Sequence, residues 1–209
     1  MRGARECPGR RRVPRVCLRA GASLIELLCV VALLLILFTL YWSSGSESRQ
    51  QRRLKACQQN LSRIFMALQI YANDQHEKLP ELAGAQSSEE PLSLLVPRYT
   101  IDTPVFICPA SGDSPLPPGE SFRTRKISYA YYMGRRAADA QAVLMTDRQV
   151  DASPKTAGQL LFSDSGRPPG NNHGRTGGNL LFGDGHAEAC PPRAPSSLAL
   201  APGVVLLNP

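Results

Sequence analysis

The chain has 209 residues, 43% of them apolar, with 24 Lys and Arg against 17 Asp and Glu and a formal net charge of +7. The excess is local: Arg2, Arg5, Arg10, Arg11, Arg12, Arg15 and Arg19 face the single acid Glu6, so the first 21 residues hold +6 of it (7 − 1). The rest is nearly neutral, which excludes a broad nucleic-acid-binding surface, and no nucleic acid partner is expected.

After this leader an apolar run extends unbroken from Leu27 to Phe38. From Ala22 to Trp42 the chain would be about 31 Å long as a helix, which predicts one transmembrane crossing. Arginines ahead of a span stay cytoplasmic, so the expected placement is single-pass in the inner membrane with an extracytoplasmic, periplasmic head. Glu26 stands at the head of the run, where a carboxylate is tolerated only if something pairs with it. The residues that follow, Thr39-Leu40-Tyr41-Trp42-Ser43, lack the small-x-small site of a secretory signal. A plain signal anchor gives Gly21 and Glu26 no role.

The segment Gly21-Ala22-Ser23-Leu24-Ile25-Glu26 resembles the cleavage and methylation motif of type IV pilins and type II secretion pseudopilins. That resemblance implies cleavage by a prepilin peptidase after Gly21, Ala22 as the methylated N-terminus and Glu26 as the assembly residue. Ala22 departs from the Phe usual there. It further implies a pilin-like α+β fold: a long N-terminal helix, transmembrane in its first half, packed on a small and mainly antiparallel sheet. The expected organisation is a leader over 1–21, a transmembrane helix over 22–42, an amphipathic continuation over 43–77, a globular head over 78–190 and a Pro-rich tail over 191–209.

Ser43 to Ser46 read as a polar break. From Glu47 to Glu77, Leu54, Cys57, Leu61, Ile64, Phe65, Leu68 and Tyr71 recur at spacings of three and four and form one apolar stripe, which predicts a core-covering helix ended by Asn73-Asp74 and Pro80. Pro91–Tyr99 reads as a short helical turn or loop, and Thr103–Cys108 as an extended segment. Ile127–Met133 is β-prone, while Ala142–Thr146, Gln159–Ser163 and Val204–Leu207 are apolar runs. The clearest hairpin joins Gly178–Phe182 to His186–Cys190 through Gly183-Asp184-Gly185.

Cys57-Gln-Gln-Asn60, Tyr71-Ala-Asn-Asp74, Phe106-Ile-Cys108-Pro109, Thr146-Asp147-Arg148 and Asn172-His173-Gly174 are similar to segments of one bacterial pseudopilin-like group. That group carries a signature of His, nine residues, then Asp-Gly. Here ten residues separate His173 from Asp184-Gly185. With that resemblance Cys57 and Cys108 are paired, although Cys190 at the end of the hairpin is an alternative partner for Cys108. Cys29 within the apolar run is read as inert packing.

The polar residues His173, Asp184, His186, Asp164 and Glu188 invite a metal reading, with Asp164, His173, Asp184 and His186 as candidate ligands. The resemblance adds calcium, for which Asp164, Asn171, Asn172 and Asp184 offer oxygens. The preferred reading is turn chemistry at Asp184-Gly185, with His173 bonded to loop backbone and no cofactor. Ser163-Asp164-Ser165-Gly166-Arg167-Pro168 is faintly similar to a trypsin-type motif, but none of His76, His173 and His186 lies in a fitting context, and no enzyme activity is expected. The expected function is a structural subunit, a pseudopilin or minor pilin, of a type II secretion or type IV pilus-like filament. Its partners would be other such subunits, the prepilin peptidase, the inner-membrane assembly platform and the lipid bilayer. The alternative is a membrane-anchored extracytoplasmic binding module that does not assemble.

Overall fold

The computed structural model describes residues 23–43 and 45–209. Gly21, Ala22, the leader arginines, Cys7, Cys17 and Ser44 of the polar break lie outside the described residues. The chain divides into two compact units, Met1–Gly45 and Ser46–Pro209.

The first unit carries helix α1 (Leu24–Ser43). Leu33, Leu34, Leu35 and Ile36 follow one another around the helix at about 100° per residue, and each is 58–60% exposed. No face is polar. Glu26, in the first turn, is exposed as well. Among the described residues, however, no helix is long and apolar enough to cross a membrane. The uninterrupted apolar run, Leu27–Phe38, gives only about 18 Å of helix against a hydrocarbon core of about 30 Å. This overturns the transmembrane helix expected over 22–42, and with it the single-pass inner-membrane placement and the periplasmic head. The expected long helix is corrected too: α1 and α2 (Gly45–Asp74) are separate elements, assigned to different units apart from Gly45 at their boundary.

The second unit is a three-layer arrangement. Its middle is a five-stranded antiparallel sheet of β1 (Tyr129–Met133), β2 (Val143–Asp147), β3 (Gly178–Phe182), β4 (Ala187–Cys190) and β5 (Val205–Leu207), in the order β4-β3-β2-β1-β5. On one face, Cys57, Leu61, Ile64 and Leu68 of α2 pack with Tyr129, Tyr131, Met145 and Leu181. On the other, Ala130, Tyr132 and Leu180 pack with Leu161, Phe162, Ala194 and Leu198 from irregular segments. The alternation of Tyr129 and Tyr131 with Ala130 and Tyr132 is the period of two that a strand imposes. Both faces are covered, so β1 is buried almost throughout.

The helix α2 ends at Asp74, and just beyond it His76 and Glu77 take left-handed φ values of 55° and 64°. Thr103–Phe106, read as extended, is a 3-10 turn. Pro104 near its start has its φ fixed in the helical range, which favours that conformation. The run Gln159–Ser163 forms no strand. Leu160 makes a single bridge to Arg193 instead. The Pro-rich tail supplies β5 from its late apolar run, Val204–Leu207, and β5 pairs Leu207 with Tyr131 at the sheet's edge.

A half-buried ion pair fastens the loop after Cys108 to the sheet. Arg148 donates to both oxygens of Asp113, at 2.9 and 2.8 Å, and to the Ile127 carbonyl. The Ser128 hydroxyl also donates to Asp113, at 2.6 Å. Burial pushes the Asp113 carboxyl upward, but the Ser128 hydroxyl and Arg148 outweigh it and hold the group below its ordinary range. A carboxylate whose folded pKa is depressed contributes stability above its unfolded value, about 3.9, and loses that contribution as pH falls through the folded value. Stability measured from pH 6 down to 2 should therefore fall on an acid limb below about pH 4. Asp113→Asn should flatten that limb, and an unchanged limb would assign it to other carboxylates.

Candidate metal centre

Four residues far apart in sequence meet under the sheet. Cys57 is brought by the buried stripe of α2, Cys108 by the segment leaving the 3-10 turn, Asp147 by the last position of β2, and His173 by a turn closed by the Gly174 N–H on the Asn171 carbonyl. One ligand-type atom from each lies within 4.8 Å of all the others, and all four residues are buried. Cys57 and Cys108 are joined as a disulfide with their Cα atoms 5.5 Å apart. His173 Nε2 lies 3.4 Å from Cys108 Sγ and 3.3 Å from Asp147 Oδ2.

The Asp147 carboxylate is oriented on its other sides. Asn172 Nδ2 donates to Oδ1 at 3.0 Å, while the Asn179 backbone N–H and side-chain amide donate to Oδ2 at 2.8 and 2.9 Å. The amide of Asn172 also donates to the Ser128 carbonyl, tying the His173 turn to the strand β1 entrance. Gly178 is required beside this carboxylate, because a Cβ there would lie 2.8 Å from the Phe162 ring and 2.9 Å from Asp147 Cβ. By contrast His173 Nδ1 is buried without a hydrogen-bond partner. The cluster borders a cavity of about 450 Å³ whose lining includes Arg49, Gln50, Arg53, Asn171, Asn172 and His173.

Of the residues named from sequence as metal candidates, only His173 belongs to this group. It faces a disulfide and a carboxylate with its ring, and its carbonyl, not its imidazole, accepts from Gln50 of α2 and from the Thr176 hydroxyl. Asp184 and His186 pair with each other at the exposed hairpin tip, 2.5 Å apart. Backbone and side-chain hydrogen bonds from His186 hold the Asp184 carboxyl below its usual value. The His186 ring stacks on Phe182. Asp164 is exposed and pairs with Arg193 at 3.7 Å. Asn172 turns its amide nitrogen to Asp147, while Asp164 and Asp184 pair with Arg193 and His186, so these suggested calcium ligands serve separate contacts. Gly185 has φ +89°, and a Cβ there would meet the Phe65 ring at 2.5 Å, so its role is turn geometry and close approach to α2. Cys190 is buried and free, and burial pushes its thiol up to about 11. Asp147 was not singled out from sequence, although the Thr146-Asp147-Arg148 segment that contains it was.

The group Cys57, Cys108, Asp147 and His173 is one that could hold a metal ion. No protein-family profile, curated protein or solved structure matches the chain.

Proposed function

We propose that the chain is a structural subunit of a pseudopilin-type filament, matured by cleavage after Gly21 and assembled through α1. The observation that carries this reading is α1 itself. A helix apolar on every face is stable only when covered, and isolated subunits rarely leave so much contiguous apolar surface bare. The covering surface that fits is the same helix of further copies. Their amines at Ala22 supply a charge partner for Glu26 at the head of each helix. The motif from Gly21 to Glu26 supports the same assignment, since cleavage there creates that amine.

Two measurements test it. Mass spectrometry of the protein from cells that contain a prepilin peptidase should find Ala22 as the first residue. A persistent Met1 or Arg2 terminus would sink the proposal. Glu26→Gln should be cleaved normally but lose a charged hydrogen bond of about 1.5 kcal/mol per contact, which lowers incorporation roughly tenfold. Cross-linking between α1 helices reads that loss, and undiminished cross-linking would show the carboxylate to be dispensable.

A further inference from the structure

The four-residue cluster is arranged for more than a covalent staple. A Cys-His-Asp nucleophile needs both imidazole nitrogens, one toward sulfur and the other toward the carboxylate. Here Nε2 alone faces both Cys108 and Asp147, while Nδ1 has no partner. Donor atoms gathered around one point are the arrangement of metal ligands. Zinc bonded tetrahedrally at about 2.0–2.3 Å places neighbouring ligand atoms roughly 3.3–3.8 Å apart. The distances of 3.4 Å from Nε2 to Cys108 Sγ and 3.3 Å from Nε2 to Asp147 Oδ2 are already edges of such a tetrahedron. The carboxylate is also held in place, because Asn172 donates to Oδ1 of Asp147 and Asn179 donates twice to Oδ2, the oxygen nearest Nε2. Two sulfurs, one imidazole and one carboxylate form a set that suits zinc and not calcium, which takes six to eight oxygens. Only the bond between the sulfurs stands in the way.

The geometry points to a zinc site that exists only in the dithiol form of this protein: Cys57, Cys108, His173 and Asp147 hold one Zn²⁺ when the disulfide is reduced, and the disulfide excludes the ion. Reduction takes two electrons from an external dithiol. The Cys57–Cys108 bond breaks, the reagent's sulfurs join as a disulfide, and its two protons pass to the protein thiols. Zinc then displaces those two protons to solvent as the thiolates bind it. An external disulfide reverses the exchange. The two thiolates give up two electrons and form the Cys57–Cys108 bond, the reagent leaves as two thiols after protonation by water, and the ion departs as Zn²⁺. Either way α2 stays linked to the segment after the 3-10 turn, and the zinc form adds β2 and the 171–174 turn to that link.

The test uses the full chain, reduced with a dithiol under anaerobic conditions, freed of reagent and titrated with Co²⁺ and then Zn²⁺. The expected result is one equivalent of Co²⁺ with thiolate-to-cobalt charge-transfer and tetrahedral d–d absorption, displaced by one equivalent of Zn²⁺. The same chain oxidised with a small-molecule disulfide should show no absorption, and oxidation of the zinc form should release the ion. Zn²⁺ should raise the melting temperature of the reduced form only. His173→Gln and Cys57→Ser should lose the cobalt absorption, whereas Cys190→Ser should keep it. The comparison of reduced with oxidised wild type needs no variant and so does not depend on a variant's folding. A reduced chain that takes up no ion, folded or not, overturns the proposal. So does equal uptake by the oxidised chain, or absorption that survives both His173→Gln and Cys57→Ser.

Discussion

Asp147→Ala is expected to destabilise the second unit by about 3–5 kcal/mol, a large share of the 5–15 kcal/mol that holds a typical domain. The carboxylate is fully buried and accepts from Asn172, from the Asn179 backbone and side chain, and faces His173. Alanine removes every one of those acceptor positions and leaves buried donors facing a void. Each orphaned donor costs about 1–3 kcal/mol, less whatever water recovers. Asp147→Asn keeps the shape but turns an amide toward donors, so it should fall between wild type and alanine. His173→Ala should cost less than Asp147→Ala, because Asp147 keeps three of its hydrogen bonds. The two changes should be strongly non-additive, since Asp147→Ala already removes the carboxylate partner of His173. Denaturant unfolding of the oxidised chain measures the wild type, the three single variants and the double variant. A loss below about 1 kcal/mol for Asp147→Ala would mean that water satisfies the stranded donors and that the carboxylate does not organise this region.

What could be read from the sequence were features with a local cause. The stripe on α2 follows from spacings of three and four, and Cys57, Leu61, Ile64 and Leu68 are all buried. The β3–β4 hairpin follows from Asp184-Gly185, a turn that only its own few residues decide. The β5 strand was not legible as part of the sheet, because nothing near Val205–Leu207 announces a partner at Tyr131–Met133. The metal cluster failed for the same reason. Positions 57, 108, 147 and 173 come from a helix, a turn, a strand and a loop, and no short motif links them. Proximity in sequence grouped His173 with Asp184 and His186. The intervening strand β3 instead carries the latter pair to an exposed tip, while His173 stays buried at the other end. The membrane span was misread by counting to Trp42. The uninterrupted apolar stretch stops at Phe38, and length is the quantity a bilayer tests.

Gly177→Ala should be among the most damaging single-methyl additions available in this protein. Gly177 sits just ahead of β3 with φ +101°, a conformation that L side chains rarely adopt. That alone costs about 1–3 kcal/mol. The larger effect is steric. A Cβ would lie 2.0 Å from the Cys190 carbonyl oxygen and 2.8 Å from the Pro191 carbonyl carbon. Both are backbone atoms, so no rotamer change relieves the overlap. The end of β4 must move away from β3, and the Gly178–Cys190 pairing of that ladder goes with it. Because Gly178 abuts Asp147 Cβ and Asn179 donates twice to the same carboxylate, the shift would also loosen the cluster. A total of about 4 kcal/mol or more is expected. Gly84 provides the control. It also has a positive φ, +78°, but nothing lies within 4 Å of an added Cβ, so Gly84→Ala should cost only the conformational strain. The difference between the two variants isolates the steric part and should exceed about 2 kcal/mol. Equal losses in matched denaturant titrations would mean that β4 yields freely at Cys190, and that the close approach of β3 to β4 is not what glycine is needed for there.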